Sequence, residues 1–150
     1  ILRYSIFRLK KLDKNVKILE NFDPSLPRIK VDKNAMIQVF DNLLLNSVEA
    51  LENSSPYIRI TTKFFFGQSI KIPNMKDNFK KNFLQIVVED NGKGIAKNDL
   101  EKVFIPFYSN KKNGTGVGLF LVKKIINYHS GQIFIESDND CTKVYIKLPL

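Results

Sequence analysis

Residues 110–126 read NKKNGTGVGLFLVKKII: two lysines and three alternate glycines opening onto an apolar helix. Glycine weakens a helix and costs backbone entropy. Gly114, Gly116 and Gly118 at a helix start therefore mark a place where something comes close to the backbone. The pattern is not a P-loop, because G-x-x-x-x-G-K-[ST] is absent. Nor is it a dinucleotide fingerprint, which needs glycine where Leu119 stands. Free N–H groups and the helix dipole at such a start favour a phosphate. Lys111 and Lys112, just upstream, could reach over the same anion. The plain alternative is a flexible glycine loop.

Working outward, a second polar feature lies on the apolar helix expected over about 33–53. Gln38, Asn42, Asn46 and Glu49 are spaced to share one stripe of it. Asparagine is a poor helix former and is costly to bury unpaired. Either the stripe faces solvent, or it looks onto a polar ligand for which an amide oxygen is also a fair magnesium donor. The third feature is VVEDNGKGI, residues 87–95. Asp90 ends an apolar strand and Gly92 and Gly94 follow. This reads as a strand-ending turn, or as a carboxylate held to accept a hydrogen bond from a ligand amine beside a flat ring.

The remaining periodicity organises the chain around these three features. Apolar positions in residues 1–14 suit a short helix. VKILENF reads as a strand, and DPSLPRIKVD as a connection followed by a short strand. Asp32 is the expected N-cap of the next helix. YIRITTKFFF and NFLQIVVED read as strands of a hairpin with a long, turn-rich, basic loop. A helical turn is expected near KNDLEKVF, a mobile loop over 105–116 and a helix over 117–129. GQIFIESD and CTKVYIKLPL close the chain as a hairpin.

Bulk properties narrow the classes. The chain has 150 residues, 43% of them hydrophobic, enough for one packed domain. No apolar run spans a bilayer. The start is too charged for a signal peptide and lacks an initiator Met, so a piece of something longer, in a cytoplasmic setting, is expected. One cysteine excludes an internal disulfide, and one histidine with one cysteine argues against zinc. Magnesium, which takes oxygen ligands, stays open. The net charge of +9 suits nucleic acid, a membrane surface, an acidic ligand or a lysine-rich solvated surface. The spread of the lysines, with a local excess only between Lys71 and Lys81, weakens the nucleic-acid reading.

Taken together and in order, these pieces resemble the ATP-binding catalytic domain of sensor histidine kinases. That domain belongs to the superfamily shared with gyrase B, the Hsp90 chaperones and MutL. QVFDNLLLNSVEA is similar to the N box, DNGKGI to the G1 box, VFIPFYSNKK to the F box and lid, and GTGVGL to the G2 box. HSGQIFIES and IKLPL match the usual close. The nitrogen-regulation and flagellar-regulation kinases are closest in flavour. Departures are small: Ser47 stands for a commoner Ala, Val117 for Leu, and Phe120 for a small residue.

The resemblance implies an α+β fold: a two-layer sandwich of a mixed, mostly antiparallel β-sheet on about three α-helices, the Bergerat-type ATP-binding fold. It implies a junction over 1–14 to a separate dimerisation domain, and a catalytic domain over 15–150. ATP and Mg2+ are the implied ligands. Asn46 would coordinate Mg2+, with Asn42 beside the phosphates and Lys111 on the lid. Asp90 would take the adenine amine, with Gly92, Gly94 and Ile95 shaping the pocket and Thr142 supporting the base through water. Gly114, Thr115, Gly116, Val117, Gly118 and Leu119 would line the phosphate side. Phe104 and Phe107 would anchor the lid by packing.

Within the superfamily, the gyrase, Hsp90 and MutL members resemble one another in carrying at position 42 a Glu that activates the nucleophile. Asn42 cannot act as a base, which favours transfer to a histidine over hydrolysis. His129, the only histidine, is expected to be structural. The acceptor histidine is therefore expected on the dimerisation domain, with a response regulator receiver domain downstream. Neither nucleic acid nor membrane contact is expected of this domain. The competing readings are a nucleotide-switched binding module and a gyrase- or MutL-type ATPase.

Overall fold

The computed structural model describes residues 1–12, 15–70, 79–110 and 114–150. Residues 71–78 of the loop expected between the hairpin strands, with Lys71 and Lys76, and also Lys111 and Lys112, lie outside the described residues. Three α-helices, α1 (Leu2–Leu12), α2 (Lys33–Ala50) and α3 (Gly118–Tyr128), pack on one face of a five-stranded sheet. Its strands are β1 (Lys17–Phe22), β2 (Tyr57–Ile70), β3 (Phe79–Asp90), β4 (Gln132–Ser137) and β5 (Thr142–Pro149). Their order is β1-β2-β3-β5-β4; β1 runs parallel to β2 and every other pair is antiparallel. The expected α+β sandwich with a mixed, mostly antiparallel sheet is the fold observed.

Strict alternation builds the sheet. In β5, Thr142, Val144, Ile146 and Leu148 are buried, while Lys143, Tyr145 and Lys147 point to the other face. The inner row meets Ile58 and Ile60 of β2, Ile86 and Val88 of β3, and an apolar stripe of α2 formed by Met36, Val39, Phe40 and Leu43. Burying each such side chain contributes roughly 1.5–3 kcal/mol. Ile6 and Leu9 of α1 join the same core. On the outer face, stacked pairs Phe65–Phe83 and Phe134–Tyr145 lie 4.8 and 4.6 Å apart. Lys147 sits over both Phe83 and Phe134. Among the described residues no helix is long and apolar enough to cross a membrane.

Three boundaries differ from the periodicity. No strand forms over 23–32, where Pro24 and Pro27 lack donors. Leu26, Ile29 and Val31 instead tuck against the core, and Asp23 anchors the turn by accepting from the backbone N of Ser25 and of Phe64. The β2–β3 hairpin is longer than expected. GQSI continues as strand past a register shift between Phe65 and Gln68, where Gly67 has φ +62°. Helix α2 stops at Ala50 rather than near residue 53. There Lys93 N donates to the Ala50 carbonyl at 3.0 Å, so a remote loop takes the acceptor and seals the helix end.

Candidate functional site

Helix α2 begins as its sequence predicts: the Asp32 carboxylate caps it by accepting from Ala35 N at 2.9 Å. One turn apart on its flank stand Asn42 and Asn46, both half-buried. Helix α3 begins directly beside them. A β-carbon added to Gly118 would lie 2.8 Å from Asn42 Oδ1 and 4.0 Å from Asn46 Nδ2. A side chain there would force the Asn42 amide to shift, so Asn42 and Asn46 face the glycine-opened helix, while Gln38 and Glu49 of the same stripe are exposed. Asn42 Nδ2 donates back to the Gln38 carbonyl at 2.8 Å. That bond fixes the amide with its oxygen toward α3. Among the described residues no side chain caps α3 at Val117, so the first-turn N–H groups and the dipole are presented at this junction.

The other end of the site is built on the end of β3. Asp90 is 3% exposed, pairs with Thr142 across the β3–β5 ladder, and accepts from Gly92 N at 3.0 Å. Gly92 abuts the end of α2: its β-carbon would meet the Ala50 carbonyl oxygen at 2.6 Å. Helix α2 is thus the spine joining both ends, with Asn46 one turn before the residue that touches the Asp90 loop. Gly92 also borders a polar hollow of about 510 Å3 lined by residues including Glu52, Asn91, Lys93 and Asp140. Gly94 crosses tightly over the Asp138 carbonyl. Ile95 N donates to Ser137 Oγ at 2.8 Å, and that hydroxyl pairs with Thr142 Oγ1 at 2.9 Å. Ser137 is a residue the sequence did not single out. It knits Ile95 and Thr142 into one floor, and nothing in its spacing signals this.

The segment expected as a lid is held by contacts that were also not foreseen. Asp99 accepts from Tyr108 Oη and from Asn110 Nδ2, each at 2.6 Å. Those two bonds, Tyr108 first, hold the Asp99 carboxyl below its ordinary value, and the Asp99 bond pushes the Tyr108 hydroxyl up. Gly116 has φ +67° and its carbonyl accepts from Phe107 N at 3.0 Å. Phe104 is half-buried with the Lys123 ammonium 5.0 Å from its ring centroid. Phe107 corrects the expectation. Its ring is 82% exposed and its φ is +66°, so its backbone, not its side chain, ties the segment to Gly116. Gly114, Thr115 and Val117 are exposed and Leu119 is half-buried against the core. Lys111 lies outside the described residues.

Two further placements bear on chemistry. His129 has both ring nitrogens engaged, with the Ile125 carbonyl and with Asp32 N, in keeping with a structural residue. Among the described residues no group of three or more His, Cys, Asp or Glu converges as a metal site. A divalent ion bound here would take an amide oxygen from the chain and the rest of its shell from ligand and water.

The chain is similar to known proteins. Residues 31–150 match the family described as histidine kinase-, DNA gyrase B- and HSP90-like ATPase. The chain is 35% identical over 137 residues to the sensory histidine kinase/phosphatase NtrB of Rhizobium leguminosarum bv. phaseoli, covering 91% of this chain and 36% of that protein. It is 39% identical over 133 residues to NtrB of Rhodobacter capsulatus, covering 89% and 37%. The chain thus spans a little over a third of the length of these curated relatives. Among solved structures, the nucleotide-free catalytic domain of the histidine kinase ThkA superposes with a TM-score of 0.80 at 24% identity, covering 99% of this chain and 89% of that one.

Proposed function

Because this chain belongs to the histidine kinase-, DNA gyrase B- and HSP90-like ATPase family, we propose that it is the ATP-binding catalytic domain of a two-component sensor histidine kinase. It transfers the ATP γ-phosphoryl group to a histidine on a separate dimerisation domain. The domain acts in the cytoplasm, and the phosphoryl group passes on to a response regulator receiver domain. The observation that carries the reading is the pairing of Gly118 with Asn42 and Asn46. It brings a phosphate-binding helix start against two amides, with a buried carboxylate, Asp90, at the other end of the same helix.

Each group then has a role set by its chemistry. Asp90 accepts the adenine amine while its other contact, with Gly92 N, keeps it oriented. The first turn of α3 offers N–H groups and a positive dipole end to the phosphates. Asn46 supplies an amide oxygen to Mg2+, which neutralises phosphate charge when bound. Asn42 has no basic atom to give, because its amide nitrogen has no free lone pair, and its Nδ2–H donates to the Gln38 carbonyl. The domain thus works by positioning and by charge neutralisation, and an imidazole acceptor needs no base at position 42.

The test is to mix the domain with Mg–ATP and a polypeptide carrying the acceptor helix pair of a related kinase. Acid-labile, base-stable phosphate on that polypeptide is the expected result. Nucleotide binding without transfer would favour the switched-module reading. Steady phosphate release by the domain alone would favour the hydrolytic one.

A further inference from the structure

One imidazole joins the far ends of the two helices that carry the site. His129, the C-cap of α3, places Nδ1 2.8 Å from the Ile125 carbonyl and Nε2 3.0 Å from the backbone N of Asp32. A carbonyl only accepts and an amide N–H only donates. The ring is therefore the neutral tautomer with its proton on Nδ1. Asp32 is the N-cap of α2: its carboxylate accepts from Ala35 N and its carbonyl from Met36 N. The ring thus links the C-terminus of α3 to the N-terminus of α2 across 97 positions of sequence.

At the opposite end of α3, Gly118 lies against Asn42 and Asn46. The two helices are antiparallel, and their two contacts match in length. At a rise of about 1.5 Å per residue, positions 32 and 42 are about 15 Å apart along α2, and positions 118 and 129 about 16 Å apart along α3. Between these ends the contact is apolar, through Val122 and Ile126. Apolar burial is non-directional and sets the distance between helices better than their sliding register. Hydrogen bonds of fixed geometry set the register.

We propose that His129 is a positioning residue for the phosphate end of the nucleotide site. By fixing α3 axially against the cap of α2, it sets where the glycine start of α3 stands relative to Asn46. The inference rests on the ATP-binding reading above.

The test compares ligands that use different ends of the site. His129→Phe keeps a ring in the volume beside Tyr128, whose edge-on contact is 5.6 Å between centroids, but loses both hydrogen bonds. Mg–ATP and adenosine are titrated calorimetrically at a temperature where circular dichroism shows each variant fully folded. Mg–ATP binding should weaken roughly 2- to 10-fold, the scale of one net hydrogen bond. Adenosine binding, which uses the Asp90 end, should hold. His129→Gln, with a donor and an acceptor on one planar group, should recover part of the loss. Equal weakening of both ligands, or of neither, overturns the proposal. Should the Phe variant not fold, the ring 15N shifts of the wild-type domain decide. They should show Nδ1 protonated and Nε2 bare, and the reverse tautomer overturns the link. A wild-type domain silent to Mg–ATP would instead remove the underlying reading, an outcome separable from an intact wild-type titration with an unaffected variant.

Discussion

Gly118 and Asn42 pack so closely that a β-carbon on the glycine would lie 2.8 Å from the asparagine Oδ1. Gly118→Ala therefore displaces the amide, breaks its bond to Gln38, or pushes the start of α3 away. Alanine also raises helix propensity by about 1 kcal/mol over glycine. Stability and binding should part company. Denaturant midpoints should shift by no more than about 1 kcal/mol equivalent, while Mg–ATP affinity falls at least several-fold by calorimetry. Undiminished affinity would mean the approach has no bearing on the ligand.

Asp90→Asn keeps an oxygen for Gly92 N and should leave the fold intact. It replaces a charged acceptor with a neutral one and offers an amide donor where the adenine amine also donates. The loss should be roughly 1.5–3 kcal/mol for a hydrogen bond to a charged group, or about 10- to 150-fold in affinity. Fluorescent nucleotide displacement reads it directly. An unchanged constant would remove Asp90 from the adenine site.

The Asp99 clamp should be acid-labile. Its carboxyl is held below the ordinary 3.8 by Tyr108 and then Asn110. A carboxyl depressed in the folded state contributes stability that is present above its unfolded value. That contribution is lost as pH falls through the lower folded value. Amide exchange at residues 105–110 should accelerate only below pH 3.8, before the sheet amides respond. Tyr108→Phe should raise the Asp99 carboxyl in an NMR titration, and no movement would deny the bond its role.

Phe107→Ala should cost little, within about 0.5 kcal/mol, because an 82% exposed ring has little packing to lose. Phe104→Ala, at a half-buried ring beside Lys123, should cost more. Thermal melts of the two variants rank the two rings, and a larger loss at Phe107 would contradict its exposed placement.

The sequence by itself determined most of the elements and the faces they bury. Period-two alternation in residues 142–148, the apolar stripe from Met36 to Leu44 and the Asp32 cap are all local, set by contacts within a turn or across a pleat. It also determined which residues were chemically unusual, because asparagines on an apolar helix and glycines before one are unfavourable unless something compensates them. Only the tertiary structure decided what that compensation was. The docking of Lys93 N on Ala50 ended α2 early, Gly118 was matched to Asn42, Asp99 was given Tyr108 and Asn110, and His129 was set on Asp32. Periodicity records which way a side chain points but carries no address for the remote atom it meets. Those partners are chosen when the apolar faces close on one another and bring distant polar groups into hydrogen-bonding range.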